Sequence, residues 1–350
     1  MVAELNVGRY VMLLNRLHWF DWLFLWLIVG SLTWIADSGP QSSSWLGWDG
    51  RDHLGAEYDS IARAVRSGRG FADPFEEPTG PTAWMPPALS YLLAGLYWLT
   101  GDDRESVVSI ILAFQMCVVL FTCAIVMTEA RRCRVVGAAR LVIVVGLFAC
   151  FQMLFRRTHD VWLNLLVVDL LWIGLVARWQ QPRRVIYWGV LGGVSALCSP
   201  VLGLSWAGIT CWRWLSSQSR LTINPRIDWL RRLHEVARVA CISILCVMPW
   251  TIRNRVVLGN WMPIKSNGMF ELWQSQCSDD DGVLDSRTLI RHPWHQGGEL
   301  GGEYARLGER DFLVRYGSLA RQDIGNHPLK FINRIAGRSL AATLWYMPYG

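Results

Sequence analysis

Residues 185–215 read VIYWGVLGGVSALCSPVLGLSWAGITCWRWL. Arg213 is the only charged residue in the stretch, and Pro200 stands at its centre. A helix needs about 20 apolar residues to cross a bilayer, so the stretch is long for one pass. The arginines on either side decide the matter. Segment 178–184 carries Arg178, Arg183 and Arg184; segment 216–235 carries Arg220, Arg226, Arg231 and Arg232. Short Arg-rich loops stay on the cytoplasmic side of a membrane. A single pass would send one of these loops outside. Two short passes, 185–199 and 200–215, broken at Pro200, keep both inside. The stretch reads as a membrane hairpin, and the chain as an all-α polytopic membrane protein.

Working outward, the other apolar runs are 19–36, 106–127, 141–155, 161–177 and 236–252. Together with the hairpin they predict seven spans with the N-terminus inside. Segment 128–140, with Arg131, Arg132, Arg134 and Arg140, is then cytoplasmic too. The run 86–100, PPALSYLLAGLYWLT, is too short to cross and opens on a double proline. If it did cross, the arginine loops would face outward, so it is expected as an amphipathic helix along the outer interface. The first apolar run starts near Trp19 and lacks a clean small-residue cleavage site, so it reads as a retained span. This topology places two outer loops, 37–105 and 156–160, and an extracytoplasmic segment, 253–350, ending in an amphipathic stretch, 328–350. The module 1–252 carries the spans.

Composition agrees. Of 350 residues, 52% are hydrophobic and 18% charged, which excludes a disordered chain and argues against an ordinary soluble domain. Many of the 21 tryptophans sit at the ends of apolar runs, where amphipathic rings settle at a membrane interface. The net charge of +6 comes almost wholly from arginine, Lys265 and Lys330 being the only lysines. In such a chain it reads as topology before nucleic-acid binding. Nine cysteines show no CxxC and no Cys/His grid, so neither a disulfide framework nor a zinc site is indicated. Asp279, Asp280 and Asp281 form an acidic run, but calcium loops alternate their ligands, and the run reads as a solvated loop.

The first outer loop is the chemically informative one. It reads WDGRDHLGAEYDSIARAVRSGRGFADPF, then GPTAWMPP. Tyr58, Ile61, Ala62 and Val65 follow helical spacing, and Gly68 and Gly70 end the run, predicting a surface helix over 56–68. Asp49, Asp52, His53, Glu57 and Asp59 stand before it and on its first turn. Acids there also suit the helix dipole without any further role. The second outer loop holds Arg156, Arg157, His159 and Asp160 between two spans. Charges held at the membrane boundary are costly unless paired or used. The two arginines suit a lipid phosphate, or they snorkel to headgroups. After the last span, Arg253, Arg255, Lys265 and Asn267 alternate with Trp250, Trp261, Phe270 and Trp273. That mixture fits a phosphate-bearing amphiphile and fits interfacial anchoring equally.

In this layout the chain resembles the polytopic glycosyltransferases of the GT-C fold, in the protein-mannosyltransferase-like and aminoarabinose-transferase-like branch (glycosyltransferase family 39/83-like). Four elements carry the resemblance: the acidic-EY-x-x-IA helix at Glu57–Ala62 followed by GxGF at Gly68–Phe71; PTAWMPP at Pro81–Pro87; the pair His159-Asp160; and PWTIRN at Pro249–Asn254 followed by Pro263-Ile264 and Ser266-Asn267-Gly268. The resemblance implies transfer of a sugar from a polyprenyl-phosphate donor to a protein, lipid or glycan acceptor outside a prokaryotic plasma membrane. It implies an acidic residue of the first outer loop as base and no required cofactor. Asp52 is expected as the base, Glu57 as second candidate, and Asp160 as an aid in placing acceptor or carrier. His53, Tyr58, Arg156, Arg157, His159, Arg253, Lys265 and Asn267 are expected around the donor. In many relatives the acid lies four residues before the tyrosine, where this chain has Leu54; and Met85 stands where the aminoarabinose-type enzymes carry lysine.

Two other classes compete. A transporter or flippase for a lipid-linked saccharide needs ionisable groups near the midplane, and only Asp169 lies well inside a predicted span. A catalytically inactive membrane scaffold accommodates Leu54. The end at Tyr349-Gly350, just after a further apolar stretch begins, reads as a truncated member of a longer architecture.

Overall fold

The structure is a computed structural model describing residues 30, 54–75, 78–135, 139, 142–143, 146–147, 160–176, 182–216, 225–277, 291–294 and 298–344. Among these residues the elements are helical, and the one strand-like feature is an isolated antiparallel bridge between Ala72 and Pro81. In chain order the helices are α1 Ala56–Arg66, α2 Pro87–Thr100, α3 Arg104–Arg132, α4 Val161–Val176, α5 Pro182–Cys198, α6 Pro200–Ser216, α7 Pro225–Leu258 and α8 Gly268–Leu272. A π-helix, Trp273–Cys277, follows, then α9 Glu299–Asn326 and α10 Pro328–Leu344. The chain forms two compact units, one built around Gly95–Pro249, the other from Ala56–Ala94 and the chain from Trp250 onward.

In the first unit, the hairpin expected over 185–215 is a pair of helices, α5 and α6, parted at Ser199-Pro200. They are locked by polar tips as well as apolar packing. Trp188 donates its indole N–H to Thr210 Oγ1 at 2.9 Å, and Trp206 donates to the Trp188 carbonyl at 2.9 Å. Small residues let the helices approach. A Cβ at Gly189 would stand 2.7 Å from the Ile242 side chain, and one at Gly193 would collide with Cys246. This Gly-x-x-x-Gly stripe seats α5 on α7 as small residues do between membrane helices. Helix α3 begins at a side-chain cap: Asp103 accepts from the amides of Glu105 and Ser106. Asp169, the one acid well inside a predicted span, accepts from Thr122 of α3 at 2.6 Å, so this buried carboxylate has a polar partner on the neighbouring helix.

Among the described residues, two helical stretches, Arg104–Arg132 and Trp229–Leu258, are long and apolar enough to cross a membrane, with mean hydropathies of 2.6 and 1.6. Helices α4 and α5 contribute shorter apolar stretches. The predicted spans 19–36 and 141–155 lie almost wholly outside the described residues.

Three expectations are altered. First, α7 continues beyond the predicted end at 252, with Pro249 inside it. Pro249 lacks an N–H, but the turn after it is anchored elsewhere: Trp250 Nε1 donates to the Ile264 carbonyl at 2.6 Å and Asn254 Nδ2 to the Met262 carbonyl at 2.9 Å. Second, α2 is apolar on its exposed side too, where Tyr91, Leu92, Trp98 and Leu99 stand out. It is therefore not amphipathic. Third, the apolar face of α1 is buried within the protein, with Ile61, Ala62 and Ala64 fully covered, and so is not free to lie on a membrane.

The second unit owes its core to aromatic residues from two distant stretches of the chain, 75–84 and 270–316. Phe75, Trp84, Phe270, Tyr304, Phe312, Leu313 and Tyr316 form one buried cluster. Ring centroids lie 4.5 Å apart for Phe312–Tyr316, 4.8 Å for Phe75–Tyr304 and 5.3 Å for Trp84–Phe270. Such tilted and edge-on pairs each add about 0.5–1.5 kcal/mol beyond area burial. The segment after 253, which reads as polar and Gly-rich, is thus a packed helical body.

Candidate functional site

The motifs of the first outer loop fold onto one another. Thr82 N–H donates to the Phe71 carbonyl at 3.1 Å and Asp73 N–H to the Gly80 carbonyl at 2.9 Å, so GxGF and PTAWMPP form the two arms of a short hairpin. Asp73 closes its tip. One carboxylate oxygen accepts from the amides of Thr79 and Gly80, both at 2.8 Å, and the other from Arg69 at 2.6 Å. Asp73 holds a φ of 54°, a conformation that Asp tolerates better than most residues.

Two charged side chains clamp this hairpin. Arg253 donates from Nη1 to the Thr82 carbonyl at 2.5 Å and from Nη2 to the Phe71 carbonyl at 2.6 Å, one on each arm. Its guanidinium also lies 5.0 Å from the Trp250 ring and 5.6 Å from the Phe71 ring, within cation–π range. Glu309 is 4% exposed and accepts from Ala83 N–H at 2.9 Å, from Tyr304 Oη at 2.9 Å and from Thr82 Oγ1. Burial, and then the Glu309 charge, push the Tyr304 phenol well above its ordinary range, so it stays a donor. Ser266 N–H adds a bond to the Ala83 carbonyl at 2.8 Å. Segments GxGF, PTAWMPP, PWTIRN and SNG, remote in sequence, are thereby tied into one body.

A second cluster carries the titratable groups. Glu57, on the first turn of α1, approaches His292 Nε2 at 3.5 Å. His292 Nδ1 accepts from Trp294 N–H at 3.2 Å, so the ring proton of the neutral imidazole sits on Nε2, facing Glu57. The ring lies edge-on to Phe75, Trp84 and Phe270, with centroids near 6 Å. Burial lowers its pKa to about 4, while the Glu271 charge pulls upward. Glu271 in turn accepts from Lys265 at 2.8 Å and Asn267 at 3.0 Å. Asn267 is 2% exposed, and its Oδ1 has no hydrogen-bond partner. The arrangement can hold one carboxylate, Glu57, against a neutral N–H donor, with a cation-bearing pair, Lys265 and Glu271, in the same electrostatic neighbourhood.

The predicted site residues are distributed as follows. Glu57, Lys265 and Asn267 belong to this second cluster. Tyr58 is buried on α1. Three of the five N–H donors of Arg253 go to protein oxygens: two carbonyls and Asn254 Oδ1. These bonds give the residue a structural part, clamping the two arms of the hairpin. Asp160 accepts from Asn164 Nδ2 at 2.9 Å just before α4, in the first unit. Asp52, His53, Arg156, Arg157 and His159 lie outside the described residues. Leu54 is 1% exposed, so a packing role accounts for it. His292 and Glu309 are absent from the expected set. His292 stands in a polar stretch and Glu309 in a charged helix, where nothing in the pattern marks either.

The His292 ring should make stability pH-dependent. Unfolded, it titrates near its ordinary value of 6.5; folded, near 4. Between those values the unfolded chain binds more protons, so the contribution is complete above pH 6.5 and is lost as pH falls toward 4. The loss across that window is roughly 3 kcal/mol. Thermal unfolding from pH 7 to 4.5 should show a steeper fall in the parent chain than in His292→Gln. Equal slopes would contradict a buried neutral ring.

The chain matches no family model, no curated protein and no solved structure.

Proposed function

We propose that the chain is a membrane glycosyltransferase that moves a sugar from a polyprenyl-phosphate donor to an acceptor on the extracytoplasmic side, in the manner of the GT-C enzymes it resembles. The observation that carries the reading is the mutual bonding of the segments on which that resemblance rests: Phe71 and Thr82 joined by Arg253, and Ala83 joined to Ser266. Beside them Glu57 stands before a neutral imidazole N–H. The two membrane-length helices support a bilayer setting.

The chemistry asks little of the protein. The acceptor hydroxyl or amine attacks C1, its proton passes to a carboxylate, and the C1–O bond to phosphate breaks. The leaving phosphate carries its own charge and needs cations more than a general acid. One carboxylate is therefore enough, unlike the pair needed in glycoside hydrolysis. Asp52 is the first candidate for that carboxylate and Glu57 the second; Lys265, Arg156 and Arg157 are the cations offered to the phosphate.

Transfer from a radiolabelled polyprenyl-phosphate sugar, assayed in detergent, tests the reading. Product should be lost in Asp52→Asn or Glu57→Gln and kept in Asp59→Asn, since Asp59 is engaged with Arg63 at 2.7 Å. Full turnover in both of the first two variants would remove the proposed base. No transfer from any carrier, with carrier flux across vesicles instead, would point to transport.

A further inference from the structure

Helix α10 is built inside out. Arg334 is buried, 8% exposed, and Arg338 is half-buried. Both reach back to the π-helix: Arg334 Nη1 donates to the Gln276 carbonyl, and Arg338 Nη2 to the Ser275 carbonyl at 2.5 Å. Carbonyls at the end of a helical segment lack intrahelical donors, and two guanidiniums supply them. Arg334 and Arg338 are four residues apart and share one face. On the rest of the helix surface Leu329, Ile332, Ile335 and Leu340 are exposed, Leu329 by 74% and Leu340 by 60%. The other residues there, Asn333, Ala336, Gly337 and Ser339, carry no charge. Lys330 alone among exposed residues of α10 is charged, and its long stem can carry the ammonium toward headgroups.

A helix against water turns its charges outward and its aliphatic residues toward the core. This one does the opposite. Large aliphatic side chains this exposed favour an apolar surrounding over water, and four of them stand on one helix. The surface of α7 makes the same demand. Its apolar stretch is only 17% buried, and Ile244, Leu245, Ile252 and Val256 are exposed along it. We propose that the outer face of α10 lies in the acyl region of a bilayer, and that Arg334 and Arg338 fasten its inner face to the π-helix. The chain after 253 is then not wholly extracytoplasmic: it meets the membrane again through α10. The proposal requires a bilayer but not the sugar chemistry, and it stands if no sugar is transferred.

The test uses the full chain in vesicles of phosphatidylethanolamine and phosphatidylglycerol, with a benzophenone amino acid at Leu329, Ile332 or Leu340, one at a time. A fourth variant carries the probe at Asp311, an exposed position of α9. Unfolding of each variant in detergent confirms that it is folded. After irradiation, phospholipid adducts are expected by mass at the three α10 positions and at least tenfold fewer at Asp311. A crosslink to a second copy of the chain at Leu329 and Leu340 would overturn the proposal in favour of self-association. Folded variants without lipid adducts at the α10 positions, or with equal adducts at Asp311, would overturn it outright.

Discussion

Replacing Glu309 with leucine should destabilise the second unit by about 3–5 kcal/mol, because three buried hydrogen-bond donors lose their acceptor. The carboxylate is nearly inaccessible, and both of its oxygens are used. Oε1 takes the Ala83 amide; Oε2 takes the Thr82 and Tyr304 hydroxyls. Leucine fits the space but strands three donors in a dry interior, where each costs about 1–3 kcal/mol if left unmet. Glu309→Gln separates charge from hydrogen bonding. Its amide oxygen can keep the Ala83 N–H, and both hydroxyls can rotate to accept from the NH₂ group. The glutamine variant should therefore lose about half as much. Denaturant unfolding in detergent, followed by protection of the amides around 71–83, measures both. A leucine variant as stable as the parent would show that Glu309 is not a clamp.

Arg253→Met should cost about 2–4 kcal/mol, from two charge-assisted bonds to carbonyls. Methionine keeps the apolar stem between Phe71 and Trp250 but offers no donor. Arg253→Lys should recover little. The two carbonyls lie on different arms of the hairpin, and the guanidinium reaches them with separate nitrogens in a planar fork that a point-like ammonium lacks. Arg253 and Glu309 hold adjacent residues, Thr82 and Ala83. The double variant should therefore lose less than the sum of the singles, by at least about 0.5 kcal/mol. Strict additivity would mean that the two clamps act on independent pieces.

What the sequence made legible follows from how far each signal reaches along the chain. The paired helices α5 and α6 are written locally, in an apolar run cut by Pro200. Helix α1 is written in the spacing of Tyr58, Ile61 and Ala62. Sequence periodicity shows that these faces are apolar but not what covers them, which is why α1 reads as a membrane-surface helix and is instead buried in protein. The aromatic core has no local signature. Phe75 and Tyr304 meet only because α9 folds back, and α9 itself reads as charged. Its break at Gly308, with φ of 73°, sets Glu309 at the start of a new helical piece. One glycine among 31 announces no such thing. The polarity of α10 escaped for a related reason. Its amphipathic pattern is plain, but a pattern does not say which side faces the protein. Among the candidate site residues, Glu57 was marked by its motif, whereas His292 takes its meaning from ring packing that no spacing reveals.

The clamping of the hairpin bears on how the chain is made. Thr82 waits for Arg253, 171 positions later, and then for Glu309, 227 positions later. Ribosomes add about 5–20 residues per second, so the interval from Thr82 to Glu309 lasts roughly 10–45 s. Until Arg253 is made the nascent loop carries its backbone carbonyls without their guanidinium, and Phe75 lacks its partner Tyr304 for longer still. The loop thus stays unfinished until residue 309 is made, and a nonsense codon anywhere before it leaves it so for good.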